Sequence, residues 1–470
     1  MKKNGKYYLV ITVILSFAAI IAGCKSFTKG YDVSPIAPVN SPPTMNFRGA
    51  QGAVDEFFEG FPAQDAAMWT QQAVGTDRQF TGYYGYTTSA QDFQNDWATA
   101  YANALNNLRL VQTDAASAGL SNLEGAAKIL EGIEMGTITA VWGDVPYSQA
   151  VQPLTYLTPK FDAQLDVYSQ VQAVLDAGIA ELSANMSPLS ADIFSSAGSP
   201  SIWLKAAHTA KARYLMHVAR YDSYSTADLD KVISEANQGI LATDGSEDMM
   251  FLHSGGVYNG DMNLWYSFTV YDRSGYFGAK GNFAWPMMKA MALDGKTDDS
   301  GRMAYYFTSD GQDLNTSSGG AYSATSPYPL FRASETHLLL AEAYAREGNT
   351  SSAITELNNA RTYNNNVFGD NSQAYVAGDA AVSSANLLQT IFNEEYLSLM
   401  HQIEAWNFAR RINYQISYAD STGATVTLTP TTGTQFPQRF FYPTNEITAN
   451  PNTPVQSTSD LFKPTTVNSK

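Results

Sequence analysis

The sequence predicts an all-α fold dominated by tetratricopeptide-like helical hairpins, with a long loop-rich insertion and little β structure. Three observations predict it. Residues 335–361 read as two short helices folded on each other, apolar stripes at helical spacing recur from residue 91 onward, and about 240–328 lacks any such period. In the hairpin, Leu340, Ala341 and Tyr344 share one face, and Ala353, Leu357 and Ala360 share the facing one. Glu347-Gly348-Asn349-Thr350 supplies a Gly turn and a Thr/Ser N-cap between them. Small residues at 341 and 353 let the backbones approach, which is the tetratricopeptide pattern; an ordinary amphipathic hairpin is the alternative. Either way one hairpin cannot bury its apolar face alone, so further helices must stack on it.

Composition narrows the function. The 470 residues carry a net charge of -16, only 15% Asp, Glu, Lys and Arg, and 28 Tyr, 23 Phe and 7 Trp. Nucleic acid needs Lys and Arg to displace counterions, so it is excluded as a partner, and attraction to anionic lipid is disfavoured. A weakly charged surface rich in aromatic and amide groups suits neutral polar ligands.

The chain opens with basic Met1 to Lys6, then an apolar run from Tyr7 to Ile21 that is too short for a comfortable membrane span, so residues 1–23 read as an export signal peptide. Ile21-Ala22-Gly23-Cys24 resembles a bacterial lipobox. Cys24 is the chain's single cysteine, so no internal disulfide can form, and it stands where lipidation needs it. Residues 24–43, rich in Ser, Pro, Asn and Thr, then read as a tether from lipid to a single domain over 44–470.

Within that domain Phe93, Trp97, Tyr101, Leu105 and Leu108 form the first helical stripe, read as core. Asn122 to Val141 continues it through Leu130, Ile133, Thr137 and Ala140. Helix stops at Trp142-Gly143-Asp144-Val145-Pro146-Tyr147-Ser148, and after Phe161-Asp162 it resumes through Tyr168, Val171, Leu175 and Ile179. These blocks are followed by Ile202 to Ala219 with Lys211-Ala212-Arg213-Tyr214-Leu215, by Phe331 to Glu335, and by Leu339 to Tyr344. The last are Ile391-Phe392-Asn393-Glu394-Glu395-Tyr396 and Glu404-Ala405-Trp406-Asn407 with Arg410-Arg411. In this order they resemble the SusD/RagB family of nutrient-binding outer-membrane lipoproteins. The resemblance implies a lid-like lipoprotein that delivers an oligosaccharide to a TonB-dependent, SusC-like transporter. It implies an outer-membrane location in a Gram-negative bacterium, anchored at Cys24 and facing the cell surface. The element before Asn450-Pro451 departs from the family pattern, as in a divergent subfamily, and leaves cargo open between glycan and peptide.

Catalytic sets are missing from the pattern. His208, His217, His253, His337 and His401 lack zinc-hydrolase spacing, and there is no nucleophile elbow, P-loop or dinucleotide fingerprint. Glu394-Glu395 is read as scaffold, not as an acid/base pair, so no enzyme activity and no cofactor is expected. Asp294 to Asp299 could hold a structural calcium but lacks the EF-hand alternation, and a solvated turn is favoured.

Binding is expected on two aromatic-rich segments without helical period. The first, at about 69–90, offers Trp69, Asp77, Arg78, Tyr83, Tyr84 and Tyr86. The second, within 240–328, offers Asn263, Trp265, Tyr266, Tyr271 and Trp285. Gly82 and Gly85 are read as breaking any helix there. Rings match the C–H faces of a sugar, and the amides, Asp and Arg match its hydroxyl edges. The expected function is capture of a nutrient oligosaccharide without catalysis. The alternatives are peptide import by the same family and a helical-repeat adaptor with no small ligand.

Overall fold

The computed structural model describes residues 41–256 and 261–470. The expected signal peptide, Cys24 and nearly all of the tether lie outside the described residues, as does the loop residue Tyr258. No helix among the described residues is long and apolar enough to cross a membrane.

Helix begins earlier than the stripe at residue 91 suggests. α1 (Pro43–Glu59) starts on a proline, whose missing N–H costs nothing in a first turn, and buries Phe47, Ala50, Val54 and Phe57 at steps of three and four. α2 (Phe61–Trp69) follows, then β1 (Val74–Gly75) and α3 (Arg78–Tyr84). The stripe from Phe93 to Leu108 lies on one helical run that changes pitch, from α4 (Gln94–Ala98) through a π-helical stretch Thr99–Leu105 into α5 (Asn106–Ser117). Phe93, Trp97, Leu105 and Leu108 are buried, as expected.

α6 (Ser121–Trp142) ends where Gly143 takes a φ of 89°, a left-handed conformation that favours glycine. The chain then folds back so that Val145 bridges Asp162. The Asp162 carboxylate accepts the Tyr147 and Ser148 amides at 3.1 and 2.7 Å. Burial works against its charge, yet Lys160 and these donors hold its carboxyl below the ordinary range. The Asp144 carboxylate accepts the Gln164 amide and so starts α7 (Gln164–Ala184). α8 (Pro200–Tyr221) and α9 (Thr226–Ala236) form the next hairpin.

The insertion after α9 holds β2 (Met249–Phe251), β3 (Phe277–Gly278), α10 (Ala284–Met291), α11 (Ser300–Tyr306) and β4 (Tyr328–Phe331). Beyond it come α12 (Ala333–Arg346), α13 (Thr350–Phe368), α14 (Leu387–Ser398), α15 (Ile403–Arg411), the hairpin β5 (Ser417–Ala419) and β6 (Thr425–Thr427), and α16 (Thr444–Ala449). The strands described pair as three short antiparallel ribbons, β1 with β3, β2 with β4 and β5 with β6. The fold is therefore α-helical with little strand, as expected.

The predicted hairpin is α12 and α13, with Ala341, Ala353, Leu357 and Ala360 fully buried between them. Its N-cap is Asn349, not Thr350: the Asn349 side chain accepts the Ser352 amide at 3.3 Å. Neighbouring helices stack in sequence order, α5 on α6, α6 on α7, α7 on α8, α8 on α9, α9 on α12, and α12 on α13 and α14. The insertion leaves this array after α9 and returns through the β2–β4 pair.

α6 and α7 touch backbone to backbone at a pair of glycines. A Cβ on Gly178 would lie 2.8 Å from the Gly125 carbonyl oxygen, and one on Gly125 2.8 Å from that of Gly178. Gly52 on α1 faces open space. Gly178→Ala should therefore destabilise by about 1–3 kcal/mol through overpacking, whereas Gly52→Ala should stabilise by about 0.5–1 kcal/mol through helix propensity. Urea melts of both variants check the opposite signs; equal effects would deny the close crossing.

Candidate functional site

The two aromatic segments, some 180 residues apart in sequence, are sewn together by the β1–β3 pair. Val74 lies opposite Gly278 and Gly75 opposite Phe277. Beside the pair, the Thr76 amide donates to the Tyr276 carbonyl at 2.9 Å and the Thr76 hydroxyl to the Gly275 carbonyl at 2.7 Å. Phe80 is the buried pin beneath the seam, with its ring centroid 5.0 Å from Phe268, 5.4 Å from Tyr83 and 6.1 Å from Tyr276.

Neither segment is the open loop expected. Residues 78–84 form α3 despite Gly82. Asp77 occupies its N-cap, accepting the Arg78 amide at 2.9 Å, and Phe80 fastens it to the core. One glycine costs a helix only about 1 kcal/mol, so it does not by itself forbid one. In the second segment Leu264–Tyr266 runs helically into a π-helical stretch Ser267–Asp272, and Trp285 lies on α10.

The predicted residues separate into two groups. Of the four leading ring candidates, Trp69, Tyr83, Trp265 and Trp285, Trp69 and Trp265 are fully buried. Trp69 packs edge-on against Trp406 and Phe440 while its indole N–H donates to the Tyr83 carbonyl at 3.1 Å. Trp265 packs on Phe277, Tyr322 and His401. In this conformation both belong to the scaffold, because large rings on segments pressed against a helical array lower the free energy most by leaving water. Asn263 is also fully buried, capping the Tyr266 amide and donating to the Ser326 carbonyl. Tyr86 is buried, its hydroxyl accepting the Thr431 amide. Trp285 is half-buried, its ring against Phe307, the Lys289 ammonium and the backbone of Gly311.

What remains open is two ring-bearing groups on segments that the buried Phe80 ring joins through Phe268 and Tyr276. Tyr271 is 59% exposed, with Tyr266 edge-on to it at 5.8 Å. The exposed Arg78 guanidinium stands 5.8 Å over the half-buried Tyr276 ring, with Asp77 beside it. Arg273 is exposed nearby in sequence, and Tyr83 and Tyr84 are half-buried along α3. Tyr276 lies within the second predicted segment but outside its short list of site residues; its position one residue before the strand that meets β1 brings it here. Together the two clusters offer aromatic area, two guanidinium groups and a carboxylate, which is equipment for holding a neutral hydroxylated ligand by stacking and directional hydrogen bonds.

Two grooves lie elsewhere on the domain. One of about 830 Å³ lies between α5, α7 and the 147–152 turn, but its Arg109 is engaged by Glu131 at 3.1 Å and by the Tyr147 and Ala150 carbonyls. The other, of about 500 Å³, lies under the β5–β6 hairpin and presents Tyr418, Asn386 and Gln389.

The carboxylates weighed for catalysis or calcium have partners. Glu394 receives Arg302 and Asn364 at 2.6 and 2.8 Å, and Glu395 receives Arg411 at 3.2 Å. Asp294 accepts the Lys296 and Thr297 amides and the Tyr375 hydroxyl, while Asp299 pairs with Arg302.

Comparison with known proteins names the architecture. A family profile of SusD-like proteins, described as starch-binding and associating with the outer membrane, matches residues 54–443. A SusD/RagB family protein from Bacteroides thetaiotaomicron VPI-5482 superposes with a TM-score of 0.65 at 21% identity, covering 91% of this chain and 99% of its own. A chitin-binding SusD homolog from Flavobacterium johnsoniae gives 0.63 at 17% identity, with 91% and 97% covered. A further chitin-binding protein gives 0.62 at 20% identity, with 87% and 94% covered. No curated protein matches the chain in sequence.

Behind α3 the Tyr83 hydroxyl donates to Asp92 at 2.8 Å, and the nearby Asp96 is buried with one oxygen unpartnered. Burial first, then the charges of Glu56 and Asp92, push the Asp96 carboxyl up to about 8. The folded chain therefore keeps a proton there that the unfolded chain has lost above about pH 4, so stability falls as pH rises from about 4 to 8. The slope from this group should approach about 1.4 kcal/mol per pH unit. Asp96→Asn should flatten it, as measured by urea midpoints at several pH values; parallel curves for variant and wild type would contradict the raised value.

Proposed function

This chain belongs to the SusD-like family, starch-binding and associating with the outer membrane, and from that membership we propose that it captures a nutrient oligosaccharide and hands it to a TonB-dependent transporter without transforming it. The observation that carries the proposal is the face joined by β1 and β3, where Tyr271, Tyr266 and Tyr276 stand with Arg78 and Asp77. Exposed rings fit the C–H faces of pyranose units, and the flanking charges reach their hydroxyls. Two of the similar structures are of chitin-binding proteins, which keeps β-linked amino sugars beside starch among the cargo classes.

Export through residues 1–23 and lipidation at Cys24 would hold the domain at the outer membrane, facing the cell surface, with residues 24–43 as tether. No residue set in the chain binds nucleotide by pattern, so the energy for uptake would come from the transporter.

Isothermal titration with malto-oligosaccharides, chito-oligosaccharides and mixed oligopeptides tests the reading. Tyr271→Ala and Arg78→Ala should each weaken glycan binding about tenfold, equivalent to about 1.4 kcal/mol. Binding to peptides alone would favour peptide import. Glycan binding unchanged in both variants would move the site off this face.

A further inference from the structure

We propose that Asp55, Glu59 and His253 bind one divalent transition-metal ion of the zinc class, at the seam where the end of α1 meets the chain leaving β2. Each offers one ligand atom, and the three atoms lie within 4.8 Å of one another. Two carboxylates and one imidazole are a donor set that suits zinc, with a fourth position left for water.

Four observations favour a cation over a merely structural cluster. Asp55 and Glu59 stand one turn apart in the last turn of α1, at the negative end of the helix dipole, where buried carboxylates are disfavoured. Asp55 Oδ1 is wholly buried with no donor from lysine, arginine, amide or hydroxyl, and the Asp55 and Glu59 carboxyls face each other. Among the described residues neither carboxylate forms an ion pair with lysine or arginine; the one such contact is His253 Nε2 to Glu59 Oε2 at 2.8 Å. The other histidines lie in completed arrangements. His217 and Glu404 are joined by Arg213, Lys211 joins His208 and Glu235, His337 binds Glu356 and the Leu241 carbonyl, and His401 binds Tyr322 and the Gln72 carbonyl. A divalent ion would balance the two carboxylates, with His253 neutral and carrying its proton on Nδ1.

The second Glu59 oxygen is already fixed, accepting the Leu264 amide at 2.7 Å. The metal would therefore pin α1 to the start of the segment that carries Tyr266 and Tyr271. Asp55 keeps partial contact with solvent and gives the ion a way in.

The test uses the full chain, freed of metal by chelator, then titrated with zinc chloride by calorimetry and followed by thermal melting. One equivalent should bind, the melting temperature should rise, and zinc-edge absorption should show nitrogen and oxygen ligands including one imidazole at about 2.0–2.1 Å. Asp55→Asn, at a partly exposed position that should fold normally, should weaken binding at least tenfold, and His253→Gln should abolish one-equivalent binding. Absence of saturable binding by the wild type would overturn the proposal whatever the variants do. Wild-type affinity in Asp55→Asn would overturn it equally, by placing the ion elsewhere.

Discussion

A set of buried arginine–carboxylate pairs locks the helical array to the segments that cross it. Arg213 on α8 holds Glu335 of α12 through two bonds of 2.6 Å. Arg411 on α15 holds Glu342 through bonds of 2.6 and 2.7 Å and reaches Glu395 on α14. Arg302 on α11 ties the insertion to Glu394. All of these side chains are nearly inaccessible to water. Burial works against the Glu342 charge, yet Arg411 and Arg346 hold its carboxyl down at about 2; His217 and Arg213 do the same for Glu404, also at about 2. Such pairs add little net stability over well-packed hydrophobes, but losing one partner strands a charge at a cost of about 3–5 kcal/mol. They therefore enforce one way of stacking helices that apolar contacts alone would allow to slide.

That constraint explains why the family blocks were readable in the sequence. Arg213, Glu335, Glu342, Glu395, Glu404 and Arg411 look like separate local motifs along the chain, and in the fold they pair with one another, while Glu394 meets Arg302 and Arg410 meets Asn407 and backbone carbonyls. The hairpin at 335–361 was readable for a different reason: a small-residue pattern at helical spacing leaves few other packings. The early helices were harder to see. Gly49 and Gly52 interrupt the polar face of α1, and Pro62 falls just inside α2, so the stretch resembles a loop although Phe47, Val54 and Phe57 keep the period. The π-helical stretches are invisible to a 3.6-residue reading by construction.

At the candidate site the segments were legible and the roles of their residues were not. Residue type says that a ring prefers to be covered or to stack; it does not say which neighbour will cover it. The β1–β3 pair decides this, and strands of two residues carry no periodic signal. Once the pair forms, Trp265 and Phe80 turn inward and Tyr271 and Arg78 are left outside. The metal-ligand cluster was hidden likewise, because His253 is almost 200 residues from Asp55 and Glu59.

In the proposed binding the buried tryptophans would matter indirectly, through position. A recognition face carries precision only if the groups under it cannot move, and several exposed or half-exposed groups here stand on buried ones. Trp69 holds the Tyr83 carbonyl, Asn263 caps the turn that carries Tyr266, Glu59 holds the amide that opens that turn, and Phe80 lies under Tyr276. Their substitution would loosen the face by unfolding its footing, while substitution of Tyr271 or Arg78 removes contact area and leaves the footing intact. A ring surface flanked by hydrogen-bonding charges suits a ligand that is itself neutral, hydroxylated and repetitive, since neighbouring units of a chain present the same C–H faces to whichever ring they meet. On the proposed reading, many modest contacts of that kind would hold cargo while leaving it free to be passed on.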